Sequence, residues 1–413
     1  MDFTFSNQDR RILRDLAKQV VEIASLPEMD TRRRNWIEHN SLRSKRPMML
    51  IFPEGAFEEL LPHSSLACEG EEARKIEWDL RARIYTYQHF QDDSVIEAEW
   101  NVPPVMRDTG WGVTAQQHPS TAARGAWAFQ PVIRDEQDMK RLHYPDLIYD
   151  EKQSQQNAEQ MHDVFGDILR VQAVGVKHIS YHLIAQYSGW CGLAEMMTDL
   201  VDRPDFVHAM LSFLTEGHKR YLAQLIDANL LSLNNDNTYH SSGGNGYTDQ
   251  LPAPGFDPQR VRPSDMWSSA ESQEFAPISP RMHREFALHY EKQLLAPFGL
   301  NGYGCCEDLT RKLEDVLTIP NIRRISISPF ADVDRCAEIL RGRAIYSWKP
   351  MPAHLVGDFN EALIRSYIRH TLEVTAANGC FLEIILKDTH TCEFHPERFD
   401  RWTQIARQLI EER

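Results

Sequence analysis

The sequence predicts an α/β protein that folds as a (β/α)8 TIM barrel with an N-terminal helical extension. From about residue 94 onward, eight short apolar or β-branched segments alternate with amphipathic helices, and no hairpin signal joins one segment to the next. This alternation is typical of a parallel sheet. A doubly wound open sheet is the alternative, but no strand candidate is followed by the GxGxxG turn of dinucleotide-binding folds. A chain of 413 residues is long enough for one large domain or for two to three smaller ones.

Residues 1–90 are predicted to form the helical extension and to pack on the barrel. After Asn7, a candidate helix cap, apolar residues recur at helical spacing. A basic cluster follows at Arg32, Arg33 and Arg34. We interpret it as a solvated helix face, with contact to an anionic substrate as the alternative.

The barrel itself is assigned to residues 91–413. The strand candidates are residues 95–101, 178–184, 230–235, 265–270, 299–304, 323–329, 344–350 and 381–388. The helix candidates between the later strands and at the C-terminal end are residues 281–296, 308–316, 332–341, 358–376 and 396–412. The segment at about 102–160 lies between the first two strands and is rich in Pro, Gly and Trp, so we interpret it as a lid or rim insertion.

The composition argues against several classes of protein. The formal net charge of −15 leaves no excess of lysine and arginine for a phosphate-binding track, which argues against a nucleic-acid-binding protein. The N-terminal stretch carries charges throughout and lacks the apolar core of a signal peptide. No run approaches the roughly 20 apolar residues of a membrane span. We therefore expect a cytoplasmic protein whose seven cysteines are reduced.

Unusual polar residues follow the predicted strands, where a barrel enzyme carries its chemistry. The predicted catalytic residues are Glu307, Asp236 and Lys349. The residues predicted to contact substrate are Asn234, His240, Trp267, Glu271, Tyr303 and His354. Each of these residues also has an ordinary structural interpretation, as a loop former, a paired charge or an exposed side chain.

The adjacent cysteines Cys305 and Cys306 follow the fifth predicted strand, and Cys392 follows the eighth. The loops after these two strands are expected to reach over the barrel axis, where their sulfurs would hold zinc at about 2.3 Å. The predicted metal ligands are Cys305, Cys306, Cys392 and His390, with His240, Glu307 or Glu274 as alternatives to His390. One cysteine of the adjacent pair is expected to point into the site, and a buried pair without chemistry is the alternative. Zinc favours the thiolate, a soft nucleophile toward saturated carbon, so methyl transfer is the expected chemistry.

Four stretches carry a family resemblance: "ISPRMHREFALHYEKQLLAPFGLNGYGCCEDL", "IPNIRRISISPFADVDRCAEIL", "WKPMPAHL" and "EIILKDTHTCEFHPERFDRW". Through them, residues 230–413 resemble the uroporphyrinogen decarboxylase superfamily, and more closely its cobalamin-dependent branch, which includes the coenzyme M methyltransferases. The N-terminal part is similar only through "DSVIEAEWNVPPV", taken as a first strand. The resemblance implies a TIM barrel and a zinc held by a His-x-Cys motif and a later cysteine. Cys305 and Cys392 match those cysteines, whereas Tyr303 stands where the histidine is expected.

These observations predict a zinc-dependent enzyme that moves a methyl group between a methylated substrate or acceptor and cobalamin. The corrinoid is expected on a separate partner protein, because the chain has no Asp-x-His-x-x-Gly corrinoid-binding motif. The alternatives are a metal-free lyase that acts on a carboxylated substrate, as the decarboxylases do, and a non-catalytic member that binds corrinoid. The arginine-bearing motif of the decarboxylases has no match here, which ranks the lyase below methyl transfer. The oligomeric state stays open, with a homodimer as one alternative.

Overall fold

The structure is a computed structural model that describes residues 5–118 and 128–412. Its strands are β1 (Met48–Ile51), β2 (Glu99–Val102), β3 (Met106–Asp108), β4 (Gln116–His118), β5 (Ala128–Gln130), β6 (Leu147–Tyr149), β7 (Arg170–Ala173), β8 (Ser180–Tyr181), β9 (Tyr239–His240), β10 (Gly244–Asn245), β11 (Trp267–Ala270), β12 (Leu300–Tyr303), β13 (Ile322–Ile327), β14 (Ile345–Trp348) and β15 (Phe381–Leu386).

Its α-helices are α1 (Asn7–Ala24), α2 (Pro27–Asn40), α3 (Phe57–Leu60), α4 (Glu71–His89), α5 (Glu136–Met139), α6 (Glu151–Phe165), α7 (Leu183–Cys191), α8 (Leu193–Asp202), α9 (Pro204–Asp227), α10 (Pro280–His283), α11 (His289–Leu295), α12 (Leu313–Val316), α13 (Val333–Leu340), α14 (Glu361–Ala377) and α15 (Glu397–Glu411). A π-helical turn, Arg284–Leu288, joins α10 to α11. None of the helices in the described parts of the chain combines the length and apolar character needed to cross a membrane.

The centre of the molecule is a parallel sheet of seven strands in the order β1-β15-β14-β13-β12-β11-β8. The strands from β11 to β15 are neighbours in the sheet in the same order as along the chain, and helical segments connect them. Every residue of β14 and β15 is buried, as expected for parallel strands that are covered on both faces. The predicted α/β class and five of the eight predicted strands are therefore confirmed.

Three predicted strands contribute less to the central sheet than expected, each in a different way. In the segment 178–184, only β8 pairs with the sheet, since α7 begins directly afterwards. In the segment 95–101, β2 pairs with β7 in a separate two-stranded sheet. In the segment 230–235, Leu231 makes a single parallel bridge to Val176.

The segment 1–90 contains a strand in addition to its predicted helices. Its strand β1 pairs in parallel with β15 and so belongs to the central sheet. The run "MMLI" is fully buried and lies between Pro47 and Pro53. A continuous apolar run this short has no alternation by which a strand could be recognised. Around it, α1 and α4 pack together in the predicted helical part.

Irregular segments lie along the outer sides of the two edge strands, β1 and β8. The carboxylates of Asp92 and Asp93 accept hydrogen bonds from the backbone of β1, at 3.0 Å from Ile51 N and 2.9 Å from Met49 N. Further along, Asn237 donates to the carbonyl of Val95 at 2.9 Å. Beside β8, a 3.0 Å bond joins Nδ1 of His178 to the carbonyl of Tyr239. Side-chain bonds thus form a path of contacts between the two edges.

The insertion at about 102–160 forms two antiparallel ribbons, β3 with β6 and β4 with β5. Its Trp111 packs against α7 and α9, with ring centroids 5.9 Å from Trp190 and 5.1 Å from His218. Gly217 of α9 has no side chain where the Trp111 ring lies, since a Cβ there would be 2.3 Å from the indole. The insertion therefore packs closely on the helices that follow β8.

A buried ion pair crosses the interior of the sheet. Nε of Arg324 on β13 donates to Oε1 of Glu383 on β15 at 2.8 Å, and both side chains are at most 1% exposed. Nη2 of the same arginine donates to Glu383, to Oδ1 of Asn40 at 2.8 Å and to the carbonyl of Asn245 at 3.1 Å. The hydroxyl of Ser347 on β14 donates to Glu383. One pair of charges thus joins three strands, α2 and β10.

We expect Arg324→Met to lower the free energy of unfolding by about 3–5 kcal/mol, because Glu383 would keep a buried charge without its partner. Urea denaturation measures the loss. The control is Arg335→Met, which removes an exposed pair with Glu338 and is expected to cost less than about 1 kcal/mol. Adding Glu383→Leu to Arg324→Met should restore part of the stability. Equal losses in the two single variants would contradict a structural role for the pair.

Candidate functional site

A cavity of about 200 Å³ opens at the carboxyl ends of β8, β11, β12 and β15, where a barrel is expected to carry its chemistry. Its walls come from four strands and from the loop that contains β9. The lining residues are His178, Ser180, His182, Tyr239, Ser241, Ser242, Ser269, Ala270, Glu271, Gly304, Cys305 and Lys387. Of the residues predicted to form a site, Cys305 and Glu271 line this cavity.

The sulfur of Cys305 is the soft nucleophile of this cavity. The hydroxyl of Ser242 donates to it at 3.4 Å, and Nζ of Lys387 lies 4.0 Å away. The backbone of Cys305 is fixed on both sides, since its N–H donates to Oε2 of Glu307 at 2.8 Å and its carbonyl accepts from Ser326 at 2.8 Å. A hydroxyl and an ammonium group are the neighbours that stabilise a thiolate.

Lys387 is a cation that lines the cavity. Burial lowers its pKa, but the nearby Tyr239, Cys305 and carboxylate groups outweigh burial and raise it above the ordinary value. Its Nζ lies 3.3 Å from Asp388 and 3.9 Å from Glu54. The ammonium form is therefore held beside the Cys305 sulfur.

An acid–base pair forms another wall of the cavity. Nδ1 of His182 lies 2.7 Å from Oε1 of Glu271. This hydrogen bond raises the pKa of His182 against the opposing effect of burial. Burial raises the pKa of Glu271, but the bonds to His182 and to the Cys305 thiol leave it below the ordinary value. The pair can hold or release a proton next to the sulfur.

The predicted zinc ligands do not come together as expected. Cys305 and Cys306 have sulfurs 3.5 Å apart, but the Cys306 sulfur lies 3.5 Å from Asp388, and its pKa is raised by the bond to Cys305 and by burial. Cys392 is fully buried with its sulfur 3.2 Å from Glu59, and burial and that carboxylate raise its pKa to about 11. His390 is exposed beside Gly55. Within residues 5–118 and 128–412, no three or more His, Cys, Asp or Glu side chains are grouped so as to hold a metal ion.

The three predicted catalytic residues occupy different surroundings. Glu307 is buried below the cavity and accepts backbone N–H groups from Cys305 and Ser272. Lys349 is buried and donates to the carbonyl and hydroxyl of Ser347 at 3.1 and 2.6 Å. Asp236 pairs with Lys177 in a different cavity, beside Glu97 and Glu99. Glu307 thus holds the backbone of the lining residue Cys305, whereas Lys349 and Asp236 lie outside the cavity lining.

Asn234, His240 and Trp267 form a buried cluster that joins chain segments. The Asn234 amide donates to the carbonyls of Lys177 and Trp267, and its Oδ1 accepts from Trp267 N at 2.9 Å. His240 stacks on Trp267 with centroids 5.5 Å apart, and burial lowers its pKa to about 3. These residues hold the β9 loop against β11 and lie outside the cavity lining.

The two remaining predictions, Tyr303 and His354, also lie away from the cavity. The Tyr303 hydroxyl is buried between Ser272 at 2.9 Å, His283 at 2.9 Å and Glu291 at 2.8 Å. His354 is half-buried with its ring edge on Tyr367, and burial lowers its pKa. Tyr303 therefore does not take the position of a metal-binding histidine that faces the cavity.

Several lining residues were not predicted, although the sequence carries a signal for them. In "HISYHLI", the polar residues His178, Ser180 and His182 recur at every second position. Parallel strands covered on both faces are normally apolar throughout, so a polar face on such a strand indicates a polar cavity. Lys387 falls within the eighth predicted strand, residues 381–388, so the sequence does not mark it as a loop residue.

No family model matches this chain, and none of the curated proteins matches it. Among solved structures, the chain is similar to a methyltransferase from Methanosarcina mazei, with a TM-score of 0.51 and 10% sequence identity. The match covers 93% of this chain and 98% of that chain. At this identity the likeness concerns the fold, which the two proteins share over nearly their whole lengths.

The buried Lys349 predicts a pH dependence of stability. Burial lowers its pKa to about 7, while an unfolded chain holds a lysine proton up to about pH 10.4. Between these values the unfolded state binds more protons, so the free energy of unfolding rises with pH in this window. The wild type should gain about 2 kcal/mol of stability from this lysine between pH 7 and pH 9. Lys349→Met lacks this gain, so its stability relative to wild type should fall by the same amount over this range.

Urea denaturation at both pH values measures the effect, with the exposed Lys140→Met as the control substitution. A Lys349→Met variant whose stability relative to wild type is the same at pH 7 and pH 9 would contradict the lowered pKa.

Proposed function

We propose that this chain is a methyltransferase whose reacting methyl group lies beside the sulfur of Cys305. The observation that carries the proposal is the placement of that sulfur in a cavity at the carboxyl ends of the strands, next to Lys387 and Ser242. A thiolate is a soft nucleophile that attacks saturated carbon well. The shared fold with a methyltransferase supports the assignment but does not carry it.

In the proposed reaction, the sulfur of Cys305 attacks the methyl carbon of a small-molecule donor. The S–C bond forms as the bond from that carbon to the leaving atom breaks, and the electron pair departs with the leaving atom. Before the attack, the Lys387 ammonium and the Ser242 hydroxyl stabilise the thiolate. The His182–Glu271 pair, 2.7 Å apart, holds a proton for a leaving atom that needs one.

We propose a corrinoid carried by a partner protein as the second party to the transfer. A reduced corrinoid, when bound at the cavity mouth, supplies a nucleophile that accepts the methyl group. The cavity of about 200 Å³ is far smaller than the macrocycle, which favours docking from outside over residence within this chain. Lys387 then stabilises the thiolate that is released from the thioether.

Zinc stays a prediction that the described residues do not fit well. Of the four predicted ligands, only the adjacent Cys305 and Cys306 lie together, and Cys392 is bound to Glu59. The proposed reaction therefore uses the sulfur and its protein neighbours alone. Metal analysis of the purified protein tests the prediction directly.

We infer further that the sheet closes as the predicted (β/α)8 barrel. The path of side-chain bonds through Asp92, Asn237 and His178 supports closure, because it occupies the place of an eighth strand between β1 and β8. Lys387, which follows β15, and Glu271, which follows β11, line the same cavity.

Methylcobalamin serves as the methyl donor for testing the role of Cys305. We expect a mass increase of one methyl group on Cys305 with simultaneous loss of the methylcobalamin absorbance, and at least about a hundredfold slower reaction in Cys305→Ser, which lacks the soft nucleophile. The sulfur of Cys306 faces Asp388, so the Cys306→Ser variant should still be methylated at Cys305.

Peptide mapping by mass spectrometry locates the methyl group. Labelling of Cys305→Ser at the wild-type rate, or on another cysteine, would sink the assignment. Loss of labelling after treatment with a strong chelator, restored by zinc alone, would instead favour the metal-dependent mechanism.

A further inference from the structure

Cys306 is the member of the adjacent cysteine pair that the proposed methyl transfer leaves unused. Its sulfur lies 3.5 Å from the sulfur of Cys305, and both cysteines are free and half-buried. The other five cysteines of the chain are free as well but buried, namely Cys68, Cys191, Cys336, Cys380 and Cys392. Because Cys305 lines the cavity, the pair places two neighbouring thiols where a small molecule in the cavity reaches one of them.

The two thiols have different surroundings, which gives them different roles. The Ser242 hydroxyl and the Lys387 ammonium lie 3.4 and 4.0 Å from the Cys305 sulfur, and such neighbours stabilise a thiolate. The Cys306 thiol donates to Oδ2 of Asp388 at 3.5 Å. Its pKa is raised by the bond to Cys305 and by burial, so it keeps its proton. Cys305 is therefore the sulfur that attacks first, and Cys306 is a thiol held next to it.

The distance between the two sulfurs is short enough for a disulfide to form with small movements. A disulfide bond is about 2.05 Å long, so the sulfurs have to approach each other by roughly 1.5 Å. Adjacent Cα atoms are about 3.8 Å apart across a trans peptide bond, which is closer than the roughly 4.4–6.8 Å that most disulfides span. The ring that two neighbouring cysteines close is consequently strained, and strained disulfides are reduced more readily. A bond between these two residues is therefore suited to reversible formation.

We propose that a hydroperoxide oxidises Cys305, that Cys306 then closes a reversible disulfide with it, and that this bond prevents Cys305 from accepting a methyl group. Formation of the disulfide rests on the positions of the two thiols. Its effect on methyl transfer rests on the proposed function. The thiolate is the nucleophilic form of a cysteine, and a sulfur held in a disulfide has none to offer.

The oxidation proceeds in two balanced steps. The Cys305 thiolate attacks one oxygen of the peroxide, the S–O bond forms as the O–O bond breaks, and the other oxygen leaves with the electron pair and takes a proton from water. The Cys306 sulfur then attacks the sulfenic sulfur of Cys305, and the S–S bond forms as the S–O bond breaks. Asp388 is placed to accept the Cys306 proton, which departs with the hydroxide as water. The two sulfurs together lose two electrons, and these reduce the peroxide.

Treatment of the reduced full chain with hydrogen peroxide tests whether the bond forms. Trypsin cleaves after Lys292 and Arg311, so both cysteines fall in one peptide, residues 293–311, which contains no other cysteine. We expect this peptide to lose the mass of two hydrogen atoms and to regain it after reduction with a dithiol. The five buried cysteines are the internal control and should keep their thiols.

The Cys306→Ser variant removes the second thiol and leaves Cys305 in place. After peroxide treatment, Cys305 of this variant should gain oxygen and reach the sulfinic acid, which a dithiol does not reverse. Methyl transfer from methylcobalamin should therefore rise at least about tenfold when the oxidised wild type is reduced, and should stay low in oxidised Cys306→Ser. The matched control is Cys68→Ala, which removes a buried thiol elsewhere in the chain and should behave as the wild type does.

A wild-type peptide in which both thiols survive, in which Cys305 carries oxygen beside a reduced Cys306, or in which either cysteine is bonded to a second chain would overturn the proposal. Methyl transfer at an unchanged rate after the disulfide has formed would overturn its effect on the reaction. Disulfide formation in a protein that never methylates Cys305 would overturn the proposed function and leave the redox pair standing. Methylation of Cys305 in a protein that forms no such disulfide would overturn the redox pair alone.

Discussion

The buried ion pair between Arg324 and Glu383 connects segments of the chain that are distant in sequence. Two charges removed from water cost several kcal/mol each unless their hydrogen-bonding groups are satisfied. Here Glu383 accepts from the guanidinium and from Ser347, and the guanidinium donates onward to Asn40 and to the carbonyl of Asn245. These bonds join β13, β14 and β15 to α2 and β10, and Nη1 of Arg324 is left without a partner among the described residues.

The same pair determines the shape of the loop that reaches Cys305. A Cβ on Gly244 would lie 2.2 Å from Cζ of Arg324, so glycine lets the loop backbone pass over the guanidinium. Gly243, with φ of 116°, lies against Ile385 in the same way. Ser242 comes just before these glycines and donates to the Cys305 sulfur. The contact between Gly244 and Arg324 thus helps to position the hydroxyl of Ser242, two residues before that glycine.

On β13 and β15, residues two or four positions after the ion pair lie on the same face of the strand and reach the cavity. On β13, Arg324 is followed two positions later by Ser326, which donates to the Cys305 carbonyl. Following β15, Lys387 stands four positions after Glu383 and therefore on the same face of the strand. Because side chains at every second position share one face, the ion pair lies deeper in the sheet, and Ser326 and Lys387 lie nearer its carboxyl end.

The regular part of the fold could be predicted because its signals are local. Strands β11 to β15 are short segments separated by helices, and this repeated alternation predicts them. Near the sheet edges the signals are not local, since Asp92, Asp93 and Asn237 bond backbone groups of residues distant in sequence. For this reason the segments 95–101 and 230–235 do not join the central sheet as predicted.

The candidate site was predicted in part, for a similar reason. Cys305 and Glu271 come directly after two of the strands that were predicted, so their place at the carboxyl end of the sheet could be derived. Cys392 could not be placed, because Glu59 of α3, 333 residues earlier, accepts its backbone N–H and lies against its sulfur. Sequence spacing contains no information about such a distant partner.

The position of Tyr303 shows how one turn decides which side chain faces the cavity. Tyr303 ends β12 and directs its hydroxyl into the buried group of Ser272, His283 and Glu291. Gly304 then adopts φ of 90°, a left-handed conformation that residues with a side chain rarely adopt, and the chain changes direction. After this turn, the Cys305 sulfur lies beside Ser242 of the β9–β10 turn and Lys387, which follows β15. The chemistry available to the sulfur therefore depends on side chains from other segments of the chain and not on its own strand alone.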